Sequence, residues 1–85
     1  MPPIEIYTRP FCGFCSRAIG LFRQKGLEFI EIEAGFDPAK RQEMIARSSG
    51  RSTFPQIFVG GAHIGGCDEL MALEGAGKFD AMLSA

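Results

Sequence analysis

Two cysteines in the stretch Cys12-Gly13-Phe14-Cys15 stand where a strand pattern gives way to a helix pattern. That junction constrains the fold more than any other part of the chain. Before it, Ile4-Glu5-Ile6-Tyr7 alternates as a short strand does. After it, Cys15, Ala18, Ile19 and Phe22 recur at i, i+3, i+4 and i+7 on one helical face. Cys12 therefore falls just ahead of, or on, the first turn of a helix. Unpaired backbone N–H groups and the positive end of the helix dipole favour a thiolate there. Thiols so placed ionise with pKa values of roughly 3.5–7.5, against about 8.5 for free cysteine. Such a position suits a redox nucleophile.

The rest of the chain reads as one α/β unit spanning 1–85, with no repeat, low-complexity tract or linker. A helix over roughly 13–25 ends at Gly26, a C-cap residue, and Leu27-Glu28-Phe29-Ile30-Glu31-Ile32 follows as a second strand. Strand, helix and strand with short joints predict a right-handed βαβ unit and a parallel pair. Asp37-Pro38 starts the next helix as N-cap and first helical residue. It turns Met44 and Ile45 inward and stops near Ser48-Ser49-Gly50. Phe54-Pro55-Gln56-Ile57-Phe58-Val59, Gly60-Gly61 and Ala62-His63-Ile64 read as a tight β-hairpin. Gly65-Gly66-Cys67-Asp68-Glu69 leads into a helical region bearing Leu70, Met71 and Leu73, interrupted by Gly75 and Gly77. A tail with Phe79, Met82 and Leu83 adds a further turn or two of helix. The predicted order is βαβαββα.

Composition narrows the function classes. With 46% hydrophobic residues and a net charge of −1, the chain is globular, and nothing in its charge calls for a nucleic acid or an anionic membrane as partner. No apolar run is long enough to span a bilayer. Met1-Pro2-Pro3-Ile4 lacks the charged start and apolar stretch of a signal peptide, so a cytoplasmic location is expected. Three cysteines cannot all pair internally and are too few to staple a secreted scaffold. In a reducing compartment a CxxC is catalytic or metal-binding, and composition does not choose between the two.

After the first strand of a βαβ pattern, a CxxC reads as thioredoxin-like. Four further features stand with it in order: Tyr7-Thr8-Arg9 before the cysteines, Thr53-Phe54-Pro55 before the third strand, Gly65-Gly66 after the hairpin, and Cys67-Asp68 opening the last helix. Together they resemble the glutaredoxins, specifically the small bacterial dithiol glutaredoxins, from Ile4 to about Leu83. The resemblance implies a thioredoxin-like fold, a four-stranded mixed sheet with helices on both faces. It also implies glutathione-dependent thiol–disulfide oxidoreduction, with Cys12 as nucleophile and Cys15 as resolving thiol. Arg9 and Gln42 would meet the glycyl carboxylate of glutathione. Thr53 and the backbone of Phe54, held by a cis Pro55, would pair with its cysteinyl residue. Gly66 and the N–H groups of Cys67 and Asp68 would receive the γ-glutamyl carboxylate, with the Asp68 side chain balancing its ammonium. Phe14 would touch the partner. The implied partners are glutathione and glutathionylated or disulfide-bonded proteins, and the chain is expected to be a monomer.

Several residues depart from the family pattern. Dithiol members usually carry Pro-Tyr between the cysteines, whereas Gly13-Phe14 is typical of the monothiol branch. Monothiol and some dithiol members bind a [2Fe–2S] cluster between two subunits through the nucleophilic cysteine and glutathione. The alternative implied for this chain is therefore an iron–sulfur carrier with Cys12 as its ligand. Arg9 stands for the common Lys, and Phe54 for the usual Val. A donor other than glutathione, thioredoxin reductase, is disfavoured by Arg9 and Cys67-Asp68. From the residues alone, Cys12, Cys15, His63 and Cys67 also make a candidate zinc set. Cys67 reads either as a small buried hydrophobe or as a secondary glutathionylation site. His63 reads as a surface strand residue, and Glu28, Glu31 and Glu33 as solvated.

Overall fold

Alternation along the first strand decides the layering. A computed structural model describes residues 1–84. In it β1 (Ile4–Thr8) is followed by α1 (Gly13–Gln24), β2 (Ile30–Glu33), α2 (Pro38–Arg47), β3 (Gln56–Val59), β4 (Ala62–Gly65), α3 (Cys67–Gly75) and α4 (Lys78–Leu83). The strands lie in the order β2-β1-β3-β4, with β1 parallel to β2, antiparallel to β3, and β3 antiparallel to β4. Ile4 and Ile6 turn to one face and bury with Ala18 and Phe22 of α1, Leu70 of α3, and Phe79 and Leu83 of α4. Tyr7 and Phe58 turn to the other face and bury against Met44 of α2 and against Ala34, just past β2. This is the expected thioredoxin-like arrangement, a four-stranded mixed sheet with helices on both faces.

Local chemistry explains the joints. Gly26 N–H bonds the Arg23 carbonyl and Leu27 N–H bonds the Phe22 carbonyl, closing α1 with a Schellman motif. That motif corrects one expectation. Leu27-Glu28-Phe29 is not strand, because Leu27 is committed to the helix end while Leu27 and Phe29 pack on the core. Pairing with β1 begins only at Ile30. Asp37 caps α2 by accepting the Lys40 N–H at 3.1 Å, with Pro38 in the first turn. Gly60 and Gly61 both have positive φ (59° and 84°), as a two-residue hairpin turn of the primed type requires. Gly65 ends β4 rather than following it, and Gly75 ends α3 rather than interrupting it. The break before α4 falls at Ala76-Gly77.

A charged cluster stitches α2 to the sheet. Arg47 donates to both carboxylate oxygens of Glu5 at 3.0 and 2.9 Å and to the Tyr7 hydroxyl at 2.8 Å. Its guanidinium sits 4.0 Å from the Phe58 ring centroid. The Tyr7 hydroxyl in turn donates to Glu43. The Arg47 hydrogen bond holds the Glu5 carboxyl below its ordinary 4.5, against the opposing effect of burial. The unfolded chain therefore binds this proton more readily. Glu5 contributes stability above about pH 4.5, lost as pH falls through its lowered folded pKa.

Asp37→Ala should cost about 1 kcal/mol of unfolding free energy in urea, whereas Phe22→Ala, which empties the larger core, should cost about 3–5 kcal/mol. Glu5→Gln should destabilise the protein at neutral pH and make the loss of stability below pH 4.5 shallower than in the wild type. An unchanged acid limb would remove Glu5 from this account.

Candidate active site

The two cysteines differ in what each sulfur does rather than in exposure. Cys12 is the N-cap of α1, and its Sγ accepts the Cys15 N–H at 3.2 Å, filling one of the helix's free donors. The Cys12 thiol also reaches the carbonyl oxygen of Phe54, 3.9 Å away on the segment that enters β3. Cys15 lies on the buried face of α1 with Ala18 and Phe22. Burial, and then the hydrogen bond with Cys12, push its thiol up to about 12, while the Arg9 backbone N–H works in the opposite direction. Relative exposures of 6% and 4% do not separate the pair. All three cysteines carry free thiols.

Beside Cys12 opens a cleft of about 210 Å³ lined by Phe14, Arg51, Thr53, Phe54, Pro55, Gly66, Cys67, Asp68 and Glu69. Phe54–Pro55 is a cis peptide bond, as the resemblance implied. A Cβ on Gly66 would stand 3.1 Å from the Pro55 carbonyl oxygen, so glycine lets the start of α3 close against this segment. A Cβ on Gly65 would overlap the Glu69 carboxylate, and φ there is +113°. Glu69 uses that space to accept the Gly66 N–H at 2.7 Å and the Arg51 guanidinium at 2.8 Å. These two bonds hold its carboxyl below the ordinary range. Cys67 opens α3, and burial raises its thiol pKa.

Of the residues singled out from sequence, Phe14, Thr53, Phe54, Pro55, Gly66, Cys67 and Asp68 converge on this cleft. Arg9 and Gln42 do not line it. The Arg9 guanidinium turns back to the carbonyls of Pro10 and Phe11, at 3.2 and 3.5 Å. It braces a loop in which Phe11 holds a left-handed φ of 57° with its side chain fully exposed. Gln42 lines a separate depression with Phe36, Arg41 and Ile45 on the α2 face. The sequence reading does not include Arg51 and takes Glu69 only as part of the lead into a helix, although Glu69 stands three residues after the N-cap Gly66, the capping-box spacing.

The zinc set does not assemble. His63 is partly buried rather than a surface residue, with Nε2 2.6 Å from Gln56 Oε1 and its ring against Phe58. Among the described residues, no group of three or more His, Cys, Asp and Glu side chains is arranged to hold a metal ion. Cys12 is the one sulfur the resemblance offers to a shared cluster.

Comparison with known proteins agrees with this architecture. The glutaredoxin family model matches residues 4–64. A glutaredoxin of Pseudomonas aeruginosa is 52% identical over 85 residues, covering all of both chains. Among solved structures, a Brucella melitensis glutaredoxin is 55% identical, with a TM-score of 0.84 over 98% of this chain and 89% of that one. A buckwheat glutaredoxin–glutathione complex is 35% identical, with a TM-score of 0.86 over 98% of this chain and 77% of that one. A strand leading to a CxxC at a helix cap, a cis-proline segment facing it, and matches at this level over nearly the whole length lead to one conclusion: the chain is a member of the glutaredoxin family, whose activity is thiol–disulfide oxidoreduction.

Proposed function

We propose that this protein reduces protein–glutathione mixed disulfides and protein disulfides at the expense of glutathione. The observation that carries the reading is the contact of Cys12 Sγ with the Phe54 carbonyl, because the reacting sulfur and the binding cleft then share a wall. The cleft combines a cation at Arg51, carboxylates at Asp68 and Glu69, and the first backbone N–H groups of α3. Glutathione, with two carboxylates and one ammonium, needs groups of these kinds. The buckwheat relative was solved with glutathione.

In this reading the Cys12 thiolate attacks the glutathione sulfur of a protein mixed disulfide. The S–S bond breaks, the protein sulfur leaves as thiolate and takes a proton, and a Cys12–glutathione disulfide forms. A second glutathione thiolate then attacks the bound glutathione sulfur, releasing oxidised glutathione and restoring Cys12. In the dithiol route, Cys12 attacks a protein disulfide, one protein sulfur leaves as thiolate, Cys15 attacks Cys12 to expel the second and close a Cys12–Cys15 disulfide, and two glutathione thiols then reduce that disulfide, leaving as oxidised glutathione. Two of the causes that raise the Cys15 thiol, its hydrogen bond with Cys12 and the Cys12 charge, exist only while Cys12 is free. Burial, the largest cause, acts throughout, and the part of the restraint on Cys15 that comes from Cys12 ends once Cys12 is in a mixed disulfide.

Cys12→Ser should abolish both reactions, while Cys15→Ser should keep turnover of a glutathionylated peptide and lose reduction of a protein disulfide. Equal loss of both in Cys15→Ser would refute the monothiol route. One equivalent of iodoacetamide at pH 7 should label Cys12 and leave Cys15 unlabelled by peptide mass mapping, since Cys15 is held near 12. Label on Cys15 would contradict the assignment. Supplying electrons through thioredoxin reductase instead of glutathione tests the donor, and activity with that source alone would defeat the reading.

A further inference from the structure

Thr53 lines the cleft and is gripped from behind by Gln56, a fully buried residue on β3. The Gln56 amide nitrogen lies 3.0 Å from the Thr53 carbonyl oxygen and 3.1 Å from its Oγ1. The Gln56 amide oxygen lies 2.6 Å from His63 Nε2. Only one proton arrangement satisfies these distances. A backbone carbonyl only accepts, so the amide atom facing Thr53 is the nitrogen, and its two N–H groups serve the carbonyl and Oγ1. The amide oxygen, which only accepts, faces His63, so Nε2 carries a proton. With Oγ1 accepting on its inner side, the Thr53 hydroxyl proton is free to be donated outward. Burial, with the Arg51 charge, lowers the His63 pKa from its ordinary value, against the opposing charge of Glu69.

We infer that Gln56 and His63 are positioning residues for ligand binding: the chain from His63 Nε2–H to Gln56 Oε1, and from Gln56 Nε2–H to Thr53 Oγ1, makes the Thr53 hydroxyl a fixed donor to an acceptor oxygen of the bound tripeptide. The inference rests on the glutathione reading and adds residues that lie outside the cleft. It also gives the buried Gln56 a reason to be polar, since a buried amide with every donor and acceptor met orders what it touches.

The test compares steady-state kinetics on a glutathionylated peptide with the His63 tautomer read by 15N NMR. Wild-type His63 should show the Nε2–H form. Gln56→Leu should raise KM about tenfold with kcat kept, the scale of one lost hydrogen bond. Thr53→Val should do the same, and the double variant should be no worse than either alone. His63→Phe, which keeps a ring against Phe58, should raise KM, and His63→Gln, which restores an N–H donor, should recover it. Iodoacetamide alkylation of Cys12 should be unchanged in every variant, which separates positioning from damage to the thiol. An Nδ1–H tautomer, additive Thr53 and Gln56 effects, or an unchanged KM in Gln56→Leu and His63→Phe would overturn the inference while leaving the glutathione reading standing. A wild-type protein inert toward the glutathionylated peptide would overturn both.

Discussion

Tyr7 lies opposite Gln56 in the antiparallel pairing of β1 and β3, and the site depends on that register. The chain leaves β1 and enters β3 at the same end of these two central strands, so Cys12 and Phe54 meet there. A slip of one residue would turn every side chain of the strand to the wrong face. It would push the Tyr7 hydroxyl toward Phe22 and Phe79 and strip Arg47 of three acceptor oxygens, two on Glu5 and one on Tyr7. The two cores, one on each face, therefore guard the distance between a sulfur and a carbonyl that neither core contains.

The second wall of the cleft is placed by close approach rather than by strong bonds. Arg51 and Glu69 are each nearly half exposed, and a pair of that kind is worth about 0–1 kcal/mol. What the pair does is geometric. It links the segment before β3 to the first turn of α3, through a carboxylate that also satisfies the Gly66 N–H. Glycine at 66 cannot contribute a capping side chain, so Glu69 supplies the only half of the capping arrangement available. The absence of a Cβ at Gly65 and Gly66 is what lets the carboxylate and the Pro55 carbonyl come so near.

Local signals in the sequence carried most of the fold. The cap at Asp37, the Gly60-Gly61 turn, and the faces of α1 and α2 depend on neighbours within a few residues, and all appear in the structure. β2 starts later than the apolar alternation suggests, because Leu27 and Phe29 are apolar for a tertiary reason: they pack on the core beside a helix cap, outside the strand ladder. In the site, seven of the residues read from sequence line one cleft. The misses share a cause. Arg51 with Glu69, and Gln56 with His63, are partnerships across elements, and no periodicity reports them. Arg9 shows the converse, a cation beside the nucleophile in sequence whose guanidinium turns to the carbonyls of its own loop.

The two residues between the cysteines are those the fold does least to dictate. A Cβ at Gly13 would meet nothing within 4 Å, so no packing contact requires glycine there. Phe14 is 58% exposed and lines the cleft without entering either core. Burying a phenyl ring is worth about 1.5–3 kcal/mol, and Phe14, like the fully exposed Phe11, forgoes most of it. Stability therefore does not explain why an aromatic stands at either place. Cys12 and Cys15, by contrast, are tied to the helix cap and to the buried face of α1. The departure of Gly13-Phe14 from the family's Pro-Tyr thus falls where a change costs the fold little and alters directly what an approaching disulfide meets.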